Sequence, residues 1–185
     1  MFPKKLMWNE VDVLRDVTQR LNSGGIPFML TGSLAMNHYA TPRMTRDIDL
    51  VLQLPLPLVK RLAEVFTPDY YLVEEAIQEA ISHESIFNLI HEASVLQIDC
   101  IICKSSRYRK LEFSRRQKVM ILDFETWIVS KEDLILSKLF WAKESRSETQ
   151  LRDIRALVAT GYDMDYLQSC LRELGVLNLW GEWKL

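Results

Sequence analysis

Apolar positions recur along the chain with two periods, and the change from one to the other places the elements. Over 9–22 (NEVDVLRDVTQRLN), Val11, Val13, Leu14, Val17 and Leu21 mostly share one face of a helix. Asn9 is placed to cap its start, and Gly24–Gly25 to stop it. IPFMLTG (26–32) is a short apolar run closing on a glycine, as in a buried strand, and SLAMNHYA follows as a short helix. DIDLVLQL (47–54) predicts a second strand. Pro55 and Pro57 break the chain before a helix in LPLVKRLAEVF. Residues 71–82 read mostly as helix, SIFNLIHE as strand and SVLQIDCII (94–102) as a strong strand. The stretch 104–118 is helix or loop, and KVMILD with TWIVS forms a hairpin or two short strands. Three helices follow, over 131–145, 147–160 and 163–175, with Asp163 capping the last and Gly161 and Gly175 as natural stops. The front of the chain is therefore mixed α/β and the tail is helical.

The composition is ordinary for a globular chain of 185 residues, 48% hydrophobic and 26% charged, with a net charge of −2. That balance carries no global sign of nucleic-acid or membrane binding. The opening residues, MFPKKLMWNEVDV, reach acidic positions before a signal-like apolar core develops, and no stretch approaches a membrane span. The expected compartment is the cytoplasm, with no membrane partner. Three cysteines make no disulfide framework. Cys100 and Cys103 form a C-x-x-C within an apolar run, which favours buried strand thiols over redox or metal chemistry.

The chemistry concentrates in TGSLAMNHYATPRMTRDIDLVL (31–52). A strand ends in Gly32–Ser33, where glycine lets backbone approach a phosphate, Ser33 offers a hydroxyl and the next helix start offers free N–H groups. Strand alternation then puts Asp47 and Asp49 on one face and Ile48 and Leu50 on the other. In VLQIDCII the same alternation groups Gln97, Asp99 and Ile101 opposite an apolar face. A lone acid in such a strand is costly unless it is paired or binds metal. With the two strands side by side, Asp47, Asp49 and Asp99 converge. Carboxylates held together repel one another unless a cation lies between them, and a hard divalent ion suits their oxygens. A lone D-x-D more often marks a turn, a cap or a solvated face. The third acid and the upstream Gly-Ser favour the functional reading.

These residues resemble the DNA polymerase beta-like nucleotidyltransferase superfamily, whose pattern is Gly-Ser, then D-x-D, then a third acid on a later strand. The likeness covers 26–102. The interval from Ser33 to Asp47 is longer than in minimal bacterial members and looks more like the AbiEii-type (abortive infection) branch, through Gly32, Ser33, Ala35, Asn37, Arg43, Thr45, Asp47 and Asp49. EDLILSKL (132–139) is similar to that branch's helix after the core, and SETQLRDI (147–154) to a Ser-x-x-Gln-x-x-Asp pattern on the next helix. The resemblance implies a mixed sheet flanked by helices, with a nucleotidyltransferase core over 1–130 and a helical extension over 131–185 packed on it. It implies transfer of a nucleoside monophosphate from a nucleoside triphosphate, with Asp47, Asp49 and Asp99 catalytic and holding Mg²⁺ or Mn²⁺. It places Gly32, Ser33, Arg43 and Lys138 at the nucleotide, with Asp153 supporting the lysine or the site. The acceptor is RNA, tRNA, a protein hydroxyl or a small molecule, and several members act as toxins with an antitoxin partner.

Some readings stay open. Arg43 contacts phosphate or serves as a counter-ion, as does Arg46, and Lys138 contacts phosphate or is solvated. The basic stretch 104–118 faces RNA or is a solvated loop. Trp180 and Trp183 form an interface or cap the tail, and the three histidines have no metal spacing. Two further functions compete with the enzyme, a non-catalytic nucleotide-binding or antitoxin module of the same fold and an RNA-binding protein without nucleotide chemistry.

Overall fold

The computed structural model describes residues 8–185. The reading of the extreme N-terminus as lacking a signal lies, for residues 1–7, outside this range. Among the described residues, seven strands form one mixed sheet: β1 (Phe28–Thr31), β2 (Ile48–Leu52), β3 (Tyr70–Tyr71), β4 (Ile86–His91), β5 (Leu96–Ile102), β6 (Gln117–Ile121) and β7 (Phe124–Ile128). Their order is β3-β4-β5-β2-β1-β7-β6. The β2–β5 and β1–β7 pairings are parallel and the others antiparallel. Among the described residues the helices are α1 (Glu10–Gly24), α2 (Gly32–Tyr39), α3 (Val59–Phe66), α4 (Glu74–Ser82), α5 (Arg107–Ser114), α6 (Lys131–Ser145), α7 (Glu148–Val158), α8 (Met164–Glu173) and α9 (Leu177–Glu182).

Burial follows from strand position. β1 lies mid-sheet and all four of its residues are buried, which a continuous apolar run satisfies. In β2, Ile48, Leu50 and Leu52 are buried while Asp49 and Val51 face the other way. β5 alternates likewise, with Ile98, Cys100 and Ile102 buried. The register pairs Asp49 with Asp99, so the two acids leave neighbouring parallel strands on one face.

Several local expectations are refined. β2 begins at Ile48, so Asp47 is the last residue of the preceding loop rather than a strand residue. Tyr70–Tyr71 forms a short strand against β4, although helix was expected from residue 71, and α4 starts only at Glu74. The hairpin over 117–128 is real, turning at Leu122 with φ 52°. Cys100 is buried in β5, but Cys103 lies beyond the strand end and is only partly buried. Burial pushes both thiols up, away from the reactive thiolate.

The basic stretch becomes α5 and its flanks, and four of its cations find partners, three of them against the fold and Lys118 on the surface. Arg109 pairs with Glu112 at 2.8 Å, Arg115 with buried Asp133 at 3.1 Å and Lys118 with Glu125 at 2.6 Å. Arg116 stacks on Phe113 and Trp127. Among the described residues, Lys104, Arg107 and Lys110 make no ion pair. Trp180 is buried edge-on to Tyr162 and Trp183 is half-buried, so the tail caps the helical end of the molecule. Among the described residues, no helix is long and apolar enough to cross a membrane.

Candidate active site

The chain leaves β1 at Thr31 and turns directly into α2. Gly32 makes the turn with φ +65°, a conformation that side chains strain. A Cβ there would also overlap Asp49, lying 2.7 Å from its Cγ. Two demands therefore select glycine: the left-handed backbone and the close approach of the β2 carboxylate. Thr31 makes no side-chain cap to α2, so the first N–H groups of that helix have no capping side chain, and Gly32 and Ser33 of its first turn line the cleft with Asp49.

The loop from α2 to β2 is held by the residues of the motif. Asn37 donates through Nδ2 to the Arg43 carbonyl and accepts from the Arg43 N–H through Oδ1, both at 2.9 Å. Thr45 Oγ1 accepts from the Asp47 N–H at 3.2 Å. These contacts set the approach to Asp47 and aim the Arg43 side chain back toward α2.

A cleft of about 410 Å³ opens here, and its lining includes Gly32, Ser33, Arg43, Asp47, Asp49, Asp99 and Lys138. One wall is acidic. Burial raises the Asp49 carboxyl to about 6, with further upward pushes from Asp99 and Asp47 and a downward pull from Lys138. Asp99 is clamped: its Oδ1 accepts from Asn88 Nδ2 at 2.6 Å and from Gln97 Nε2 at 2.7 Å.

The opposite wall is cationic and centred on Asp153, which is 1% exposed. Lys138 donates to Asp153 Oδ2 at 2.8 Å and to Gln150 Oε1 at 3.3 Å. Arg43 donates through Nε at 3.2 Å and Nη2 at 3.1 Å to the two Asp153 oxygens. Its Nη2 also donates to Ser33 Oγ at 2.6 Å. Burial pushes the Asp153 carboxyl up, but the hydrogen bonds and charges of Lys138 and Arg43 outweigh it and hold the group below its ordinary value. Lys138 is 5% exposed, so it is not a solvated surface lysine. One buried anion against two cations leaves this wall net positive, across from the acids.

All eight residues singled out from sequence thus lie in or beside one cleft. Sequence reasoning assigned no role to Asn88, Gln150, Ser137 or Trp141. Gln150 stands three residues before Asp153 on α7, on the same helix face, and the motif already contained it. Asn88 faces Asp99 only through antiparallel pairing of β4 with β5, a nonlocal fact.

The donor set suits a hard cation, because three acids line one wall and burial, with Asp99 and Asp47 beside it, pushes Asp49 toward neutrality. Among the described residues, no three His, Cys, Asp or Glu side chains already close around a metal position. An ion here would complete its shell with water and phosphate oxygens, as Mg²⁺ prefers.

No protein-family model matches the sequence, and no curated protein is significantly similar to it. Solved structures do match the fold. An antigenic nucleotidyltransferase-like protein from Paracoccidioides brasiliensis superposes with TM-score 0.58 at 19% identity, covering 94% of this chain and 91% of its own. The antibiotic-resistance factor ANT(2'')-Ia, in complex with adenylyl-2''-tobramycin, gives 0.55 at 13% identity, with 89% and 95% covered. A nucleotidyltransferase-like structure from Thermotoga maritima gives 0.52 at 16%, with 75% and 88% covered. The mixed seven-stranded sheet, with its helices and the glycine turn beside two in-register acids, is the nucleotidyltransferase fold.

Proposed function

We propose that this protein is a metal-dependent nucleotidyltransferase that moves a nucleoside monophosphate from a nucleoside triphosphate to an acceptor hydroxyl. The observation that carries the reading is the pairing of Asp49 with Asp99 on adjacent parallel strands, directly beside the Gly32 turn and across from Lys138 and Arg43. Asp47, Asp49 and Asp99 would hold Mg²⁺ or Mn²⁺, which supplies neutralisation of phosphate charge and a lowered pKa for the attacking group. Gly32 lets the α2 backbone approach the phosphate chain, and its N–H groups bind the phosphate oxygens. Ser33 adds a hydroxyl. Lys138 keeps a third N–H beyond those given to Asp153 and Gln150 and acts as a point charge on the leaving pyrophosphate. Asp153 holds Lys138 and Arg43 extended before the substrate arrives, so little order is lost on binding. The Asn88–Gln97 clamp fixes Asp99 so that its second oxygen serves the reaction.

The motif from Gly32 to Asp49 resembles that of the AbiEii-type branch, and this resemblance supports, as the biological form of the proposal, a toxin or phage-defence role with an antitoxin partner, acting in the cytoplasm on RNA or protein. The test is incubation of the protein with each α-³²P-labelled nucleoside triphosphate, Mg²⁺ and cell lysate or total RNA. Label transfer that disappears in Asp49→Asn and Asp99→Asn supports the enzyme. Nucleotide binding without transfer to any fraction assigns a non-catalytic module instead.

A further inference from the structure

A second cavity, of about 240 Å³, adjoins the first. Thr31, Ile101, Ser137 and Trp141 line both, so the two cavities lie side by side. Val51 and Ile101 lie two residues beyond Asp49 and Asp99 on the same strand faces, about 7 Å further along. The side wall is aromatic, with Phe140 41% and Trp141 61% exposed on α6, in the turn after Lys138. The floor is polar. Glu112 is 3% exposed and accepts from Ser137 Oγ at 2.6 Å and Arg109 Nη1 at 2.8 Å. Among the described residues the remaining guanidinium nitrogens of Arg109 carry no protein hydrogen bond and are not sealed from solvent.

We infer that this side cavity receives the base of the nucleoside triphosphate, stacked on Trp141 with its polar edge toward Arg109. The inference rests on the reading of the main cleft given above. Three directions leave the paired acids. The cationic wall and the α2 start take the triphosphate. In-line displacement then sends the acceptor in from the opposite side, over β4–β5, where Arg46, Ser94, Val95 and Gln97 line an open hollow without an aromatic side chain. The cavity under Trp141 is the remaining direction, it lies within one nucleoside length of the acids, and it offers the apolar walls a flat ring needs. A large exposed indole beside buried hydrogen-bonding groups is otherwise an unexplained apolar surface. Base stacking on aromatics is tolerant of base identity, so several triphosphates should bind.

The test measures binding of a nucleoside triphosphate and of inorganic tripolyphosphate, each with Mg²⁺, by calorimetry to the wild type, Trp141→Ala, Trp141→Phe and Lys138→Ala. Trp141→Ala should weaken nucleotide binding about ten- to a hundredfold and leave tripolyphosphate unchanged, with Trp141→Phe largely restoring it. Lys138→Ala should weaken both. A wild type that binds the nucleotide no more tightly than tripolyphosphate, or a Trp141→Ala protein that loses both ligands or neither, overturns the base site. A wild type that binds neither ligand overturns the parent reading of the cleft.

Discussion

At the scale of single residues, Gly32 and Asp49 form one unit. The positive φ of Gly32 and the carboxylate pressed against its Cα leave no room for a methyl group. Gly32→Ala is expected to destabilise the protein by about 1–3 kcal/mol and to cut label transfer by about a hundredfold or more, since displacing Asp49 misplaces the reacting groups. Thermal melts and the transfer assay check both. Asp49 also carries a pH signature. Its folded carboxyl sits near 6 against an ordinary 3.8, so the unfolded chain ionises first. Without metal, stability should fall as pH rises from about 4 to about 6.5. Asp49→Asn removes this loss and should be the more stable protein at pH 7 by about 1–2 kcal/mol, but not at pH 4. Melts in EDTA at both pH values test this, and Mg²⁺ should shrink the pH 7 difference. The three acids were legible in the sequence because a period of two is local. The cause of the Asp49 shift was not, because it is first the burial of the carboxyl and then Asp99 on the neighbouring β5, and both depend on what packs around β2.

At the scale of elements, α6 and α7 matter to the cleft through Asp153. This aspartate touches no acid of the opposite wall, yet it sets where Lys138 and Arg43 stand. Asp153→Ala would leave Lys138 buried without its counter-charge, at a cost of about 3–5 kcal/mol, measurable by chemical denaturation. Asp153→Asn, which keeps the shape and some hydrogen bonds, should cost less but still weaken tripolyphosphate binding. Two helix starts were readable from capping, since Asn9 and Asp163 each accept from the first turn that follows, and the structure adds Ser130 and Ser147 as the caps of α6 and α7. β3 was not, because two residues carry no period of their own and are ordered only by pairing with β4. In α5, charge alone was misleading. The arginines look solvated in sequence, whereas Glu112 and Asp133 draw Arg109 and Arg115 into the fold.

At the scale of the whole molecule, the helical tail completes the front. β7 pairs in parallel with β1, and α6 follows at once with Leu134, Ile135, Leu136 and Leu139 buried. Asp133, also buried, accepts from Ser130, Tyr108, Tyr166 and Arg115, tying α5, α6 and α8 together. A fragment of residues 1–130 is therefore expected to lack a cooperative unfolding transition, which calorimetry and near-ultraviolet dichroism would show. The amino-acid order by itself determined the faces: which residues of each strand and helix turn inward, where helices start, and that three acids and a glycine–serine turn avoid the core. Those properties follow from periods of 2 and 3.6 residues and from caps, all interactions over a few positions. Only the tertiary structure decided what meets what: Asp99 beside Asp49 with Asn88 clamping it, Lys138 and Arg43 sharing Asp153, and the cavity beneath Trp141. These join residues from about ten to over a hundred positions apart, and no local pattern encodes which strand becomes whose neighbour.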